Sequence, residues 1–123
     1  MIVFIFMDKY KEFYKTIGSL KCPALDNEVI HFNNHGLRHL LIKKRKWRKP
    51  KDQLRRLRLL KYAKLIISSK KVSLNSRLIE SESKPIIFWS LEMQVKVNLI
   101  VVVIVRQIGD GGKHFFSIFP RND

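Results

Sequence analysis

Side chains able to move protons or grip an anion gather at a few places in this chain. His35 and His39 stand four residues apart in a segment whose apolar positions are Leu37, Leu40 and Leu41, and Lys43 continues their ridge. Arg106-Gln107 ends the most hydrophobic run of the sequence. Lys113-His114-Phe115-Phe116-Ser117 follows directly across Gly109-Asp110-Gly111-Gly112. An imidazole can take or give a proton near neutral pH, because its unperturbed pKa is about 6.5. A guanidinium offers a fixed fork of donors matched to phosphate oxygens, and such donors can dominate catalysis. These are the types that metal-free RNA cleavage requires: a base for the 2′-hydroxyl, an acid for the departing 5′-oxygen and cations for the phosphorane.

Each place also has an ordinary structural explanation. A helical histidine is commonly a surface or satisfied core residue, and Arg106 could mark where a buried strand emerges into water. The His35/His39 pair could also begin a metal site, but no third ligand or outer-shell carboxylate is specified, so no metal and no cofactor is expected. No Ser-His-Asp, P-loop, GxGxxG or HExxH pattern offers a competing chemistry.

The elements that must position these groups follow from hydrophobic period. Tyr10, Phe13, Tyr14 and Ile17 predict a short amphipathic helix over 7–17, ending at Gly18. Residues 21–28 read as a loop and 29–32 as a brief strand. Asn33 or Asn34 caps a helix carrying His35 and His39. Pro50 opens a second helix running to about Ser68, with Leu54, Leu57, Leu60, Ala63 and Ile67 as its core stripe. The polar stretch Glu80 to Lys84 ends a weak strand over 72–79. Strands are expected over 86–93 and 95–105, the second buried on both faces, and the glycine turn returns the chain as a last strand over 113–119. If Ile108 pairs with Lys113, Gln107 faces His114 and Arg106 faces Phe115; a bulge would shift this by one. The expected fold is α+β, N-terminal helices followed by about four antiparallel strands. Residues 1–19 form a helical extension and 20–123 a single domain.

Composition narrows the partner. The chain has 123 residues with 25 Lys plus Arg against 10 Asp plus Glu, a net charge of +15, yet its 46% hydrophobic content is that of a folded domain. Such a field attracts nucleic acid, anionic lipid or an acidic protein. Eleven of those cations fall between Lys43 and Lys61 against Asp52 alone. Lys43, Lys44, Arg45, Lys46, Arg48, Arg55 and Arg58, with Lys113, are the candidate RNA-binding side chains, displayed on a packed helix. One cysteine, Cys22, fits a reducing compartment. The apolar runs Ile2 to Phe6 and Leu99 to Val105 are too short for a signal or a spanning helix, so a cytoplasmic protein without a membrane partner is expected.

The segments Cys22-Pro23-Ala24-Leu25-Asp26-Asn27, His31-Phe32-Asn33-Asn34-His35-Gly36-Leu37-Arg38-His39-Leu40, Arg55-Arg56-Leu57-Arg58-Leu59-Leu60, Val103-Ile104-Val105-Arg106-Gln107 and Lys113-His114-Phe115-Phe116-Ser117-Ile118 together resemble small prokaryotic and phage-associated nucleases of the barnase, EndoU, colicin and RelE-like group (BECR). The resemblance spans roughly residues 20–119. It implies helices followed by a four-stranded antiparallel sheet, and metal-independent RNA cleavage. His39 would transfer one proton and Arg106 stabilise the phosphate. His114 with Ser117 would supply the second proton transfer or hold the scissile phosphate. It further implies RNA as substrate, free or on the ribosome, and an acidic antitoxin or immunity partner. One departure is the lack of an evident catalytic glutamate among Glu80, Glu82 and Glu92. The alternative is a non-catalytic RNA- or ribosome-binding protein acting through the basic segment and Trp47.

Overall fold

Alternating apolar residues in the C-terminal half build the central sheet of this computed structural model, which describes residues 2–79 and 83–121, with 2–7 described by backbone alone. Strands β5 (Ser73–Ile79), β6 (Ile86–Lys96), β7 (Leu99–Ile108) and β8 (Lys113–Pro120) form an antiparallel meander; the hairpin β1 (Ser19–Cys22) and β2 (Glu28–His31) joins the far side of β8. That junction is parallel and brief, Ile30 with Lys113 and His31 with His114. The protein is therefore α+β, with a mostly antiparallel sheet of six strands, not four, ordered β1-β2-β8-β7-β6-β5. The loop expected over 21–28 gives Lys21 and Cys22 to β1, a strand of four residues in which only Cys22 is buried.

The helices cover one face of this sheet. Val101, Val103 and Val105 join Leu91, Phe115 and Ile118 in a core that also takes Tyr14, Leu40, Leu57, Leu60, Ala63, Ile66 and Ile67 from the helical segments. Helix α1 (Ile2–Ile17) is not an appendage: Tyr14 is buried, and its hydroxyl donates to the Asn33 carbonyl at 2.7 Å. The packing thus does not divide at residue 19.

The expected second helix is interrupted. It becomes α3 (Pro50–Arg58), a 3-10 turn (Leu59–Tyr62) and α4 (Ala63–Ile67). Leu57, Leu60, Ala63 and Ile66 recur every third residue, a period that drifts around an α-helix but is held on one side by three residues per turn. The expected strand over 95–105 is likewise two strands. Residues Val97 and Asn98 turn between β6 and β7, and Gln94 Nε2 donates to the Val97 carbonyl at 2.9 Å. Val97 is 86% exposed, so its β-branched character disguised a turn as strand. Glu80 and Glu82 lie outside the described residues. Among the described residues no helix is long and apolar enough to cross a membrane.

Candidate active site

Helix α2 (Asn34–Leu41) carries His35, Arg38 and His39, and both of its ends are fastened. At the start, Asn33 Oδ1 accepts from the Gly36 N–H at 3.2 Å, a side-chain cap for an otherwise orphaned donor. Gly36 then lies against the Phe115 carbonyl and the Tyr14 hydroxyl with no room for a Cβ, which fixes how closely α2 approaches β8. At the end, Arg48 Nε donates to the His39 carbonyl at 3.1 Å and Gln53 Nε2 to that of Leu41 at 3.0 Å. Asp52 holds Arg48 in turn, at 3.3 Å. Arg48, expected among the RNA-binding side chains, is instead buried and ties α2 to α3. In a run of cations nothing in residue type distinguished it.

A bulge in β8 supplies the other wall. Arg106 pairs with His114 and Val105 with Phe115, but Ile104 pairs with Ser117, leaving Phe116 as the extra residue. The pairing of Gln107 with His114 and Arg106 with Phe115 is thus off by one, the shift a bulge produces. Bulges re-aim side chains. Here the Phe116 ring receives His39, with centroids 4.0 Å apart, and the Arg106 guanidinium, 4.4 Å from its centroid. Phe88 meets the same ring edge-on at 5.4 Å.

His39, Arg106 and Phe116 line a cavity of about 270 Å³ that also takes His35 and Arg38 from α2. Its rim includes Ile42 and the side chains of Lys44 and Arg45. Those two cations form the turn of a tight hairpin, β3 (Ile42–Lys43) and β4 (Lys46–Trp47), with φ of 51° and 67°. Positive φ at both central residues is the geometry that Asn-Gly normally adopts, and it costs a residue with a Cβ about 1–2 kcal/mol. Lys43 and Lys46 are also direct cross-strand partners, a repulsive pairing. Lys43, Lys44, Arg45 and Lys46 are thus displayed on a strained hairpin rather than a helix, and Trp47 beside them is 70% exposed.

The remaining expected residues fall elsewhere. His114 is buried, and its Nε2 accepts from Arg106 Nε at 2.9 Å. Ser117 is buried with its hydroxyl accepting from Arg56 at 3.0 Å, so neither lines the cavity. Lys113 pairs with Glu28 and sits over the Trp89 ring. Arg55 and Arg58 are exposed on α3, where Arg58 lines a different hollow with Tyr10 and Lys96. Residue type alone revealed neither the ring platform of Phe116 nor the link from Arg56 to Ser117.

Electrostatics follow from this crowding of cations. Burial, then Arg48, Arg56, Arg106 and Lys43, lower the His39 pKa to about 4. Its Nδ1 is buried without a hydrogen-bond partner, leaving Nε2 as the ring nitrogen toward the open side. Burial and then Arg106 lower His114 as well. Both imidazoles are neutral at pH 7, one facing the cavity and one engaged behind it. Among the described residues no three His, Cys, Asp or Glu side chains come together as a metal site.

No protein family, curated protein or solved structure matches this chain. The cavity lining holds four cations, two imidazoles and no carboxylate. A phosphodiester suits such a lining in charge, and the neutral His39 is in the form that accepts protons.

Proposed function

We propose that the protein is a metal-independent RNA endonuclease of the barnase, EndoU, colicin and RelE-like kind, acting in the cavity between α2 and the β7–β8 hairpin. The observation that carries this reading is the seating of His39 and Arg106 on one ring, a neutral base beside a fixed cation. His39 takes the proton of the 2′-hydroxyl as that oxygen attacks phosphorus. Arg106, with Lys44 and Arg45, binds the non-bridging oxygens as charge builds on them. His35, one helical turn before His39 and about 6 Å along the axis, gives a proton to the departing 5′-oxygen. The products are a 2′,3′-cyclic phosphate and a 5′-hydroxyl.

A base with a pKa near 4 is weak, but Arg106, one of the cations that depress it, lines the cavity where a phosphate would neutralise it. Substrate binding therefore moves His39 toward the range where a base works best. His114 acts through Arg106 as a positioning residue, and Arg56 holds the bulged strand through Ser117. The role suggested by the resemblance is a cytoplasmic toxin or phage-linked effector, restrained by an acidic partner able to cover this positive mouth.

The exposed Trp47 beside four hairpin cations favours a second reading, a non-catalytic RNA- or ribosome-binding surface working by phosphate contacts and stacking. Incubating purified protein with end-labelled RNA or ribosomes in EDTA separates the two. Fragments ending in cyclic phosphate support the nuclease; tight binding without fragments supports the second reading. Cutting that needs a divalent ion defeats the metal-free mechanism.

A further inference from the structure

A second hollow, about 380 Å³, opens on the sheet face away from the helices, with Ile79, Phe88 and Ile104 as apolar surface and Asn75, Ser76, Arg77 and Ser90 around them. Strand register aligns it with the cavity. Arg77 lies opposite Phe88, and Phe88 opposite Arg106; in the next row Asn75 lies opposite Ser90, Ser90 opposite Ile104, and Ile104 opposite Ser117. Phe88 also touches Phe116, the ring that seats His39 and Arg106. The two recesses are therefore neighbours joined by one aromatic contact.

We infer that this hollow receives the nucleobase next to the scissile phosphate, an inference that rests on the nuclease reading. Its volume is within the range of small-ligand sites, which combine apolar surface with a few polar groups that fix orientation. Single-stranded RNA is read in this way, by packing an unstacked base on an aromatic ring and hydrogen-bonding its edge. Phe88 supplies the ring. Asn75 supplies an amide with both donor and acceptor, Ser90 a hydroxyl and Arg77 a guanidinium. Arg77 stands two strands from Arg106, about 10 Å, where it can meet a flanking phosphate. An arginine, an aromatic ring and a second arginine thus run across three strands on one face, a pattern suited to a polyanion with planar bases rather than to an apolar peptide.

The test measures kcat/KM on oligonucleotides that differ only in the base beside the cut, and binding of the four nucleoside 3′-monophosphates, for the wild type, Asn75→Ala and Ser90→Leu. Asn75→Ala removes the edge contact; Ser90→Leu fills the hollow. The wild type prefers one base by about tenfold or more, and both folded variants lose most of that preference. Thermal melts establish that each is folded. Variants that retain the wild-type preference, or a wild type with none, overturn the assignment while leaving the nuclease reading intact. A wild type that neither cuts any oligonucleotide nor binds any monophosphate overturns both.

Discussion

Arg106 donates its Nε–H to Nε2 of His114 at 2.9 Å, so this bond requires a histidine without a proton on that nitrogen. Burial behind Arg106 keeps the ring neutral. The bond aims the guanidinium along the Phe116 ring and toward the cavity. His114→Ala should therefore lower kcat by about tenfold to a hundredfold, less than the ~10²–10³ typical of deleting an oxyanion donor itself. His114→Gln, which restores an acceptor, should recover much of the loss. Equal defects in both variants would show that the ring only fills space.

The depressed pKa of His39 links stability to pH. Unfolded, this histidine protonates near 6.5; folded, it resists until about 4. The unfolded state thus binds more protons between those values, and stability falls as pH drops from about 6.5 toward 4. His114 shifts in the same direction. Denaturant midpoints measured from pH 7.5 to 4.5 should fall for the wild type and fall less for His39→Gln. Parallel curves would contradict the assigned environment.

The Lys44-Arg45 turn sets local strain against charge. Replacing it with Asn-Gly suits the positive φ values and should raise stability by about 1–2 kcal/mol. The same change removes two cavity cations, so RNA should bind more weakly and the slope of log affinity against log salt should shrink by about 1.4. Greater stability with unchanged RNA affinity would mean the turn is not part of the binding surface.

Much of this was legible from residue types and periods, and the remainder was hidden for physical reasons. Four strands between 72 and 119 followed from apolar runs set between turn residues, and a cap at Asn33 or Asn34 from side-chain type, although the turn at Val97-Asn98 did not. The β3–β4 hairpin escaped notice because such turns usually advertise themselves with Asn-Gly, not Lys-Arg. His39 and Arg106 stood out as types, and the fold does bring them together. Their meeting point, however, is a bulge at Phe116, and bulges leave no compositional mark. Arg48 looked like its neighbours until burial separated it from them. His35 shares a ridge with His39, and its place in the cavity follows only from how α2 packs against β8.

Gly36 tests whether the separation of α2 and β8 matters. Its φ is ordinary, so the constraint is space: a Cβ would meet the Phe115 carbonyl and the Tyr14 hydroxyl, with Phe115 Cδ2 at 2.9 Å. Gly36→Ala should cost about 1–3 kcal/mol and displace His39 from Phe116. Chemical denaturation reads the first effect and the His39 ring resonances the second. A variant with wild-type stability and unshifted resonances would show that α2 has slack.

The central claim is that His39 is the base of a metal-free cleavage. The most direct measurement is the single-turnover rate at which wild type and His39→Gln cut end-labelled RNA in EDTA, with RNA affinity measured in parallel. The expected result is wild-type cleavage to 2′,3′-cyclic phosphate ends and a loss of about 10²–10⁴ in His39→Gln, with affinity nearly unchanged. Cleavage by His39→Gln at the wild-type rate would contradict the account.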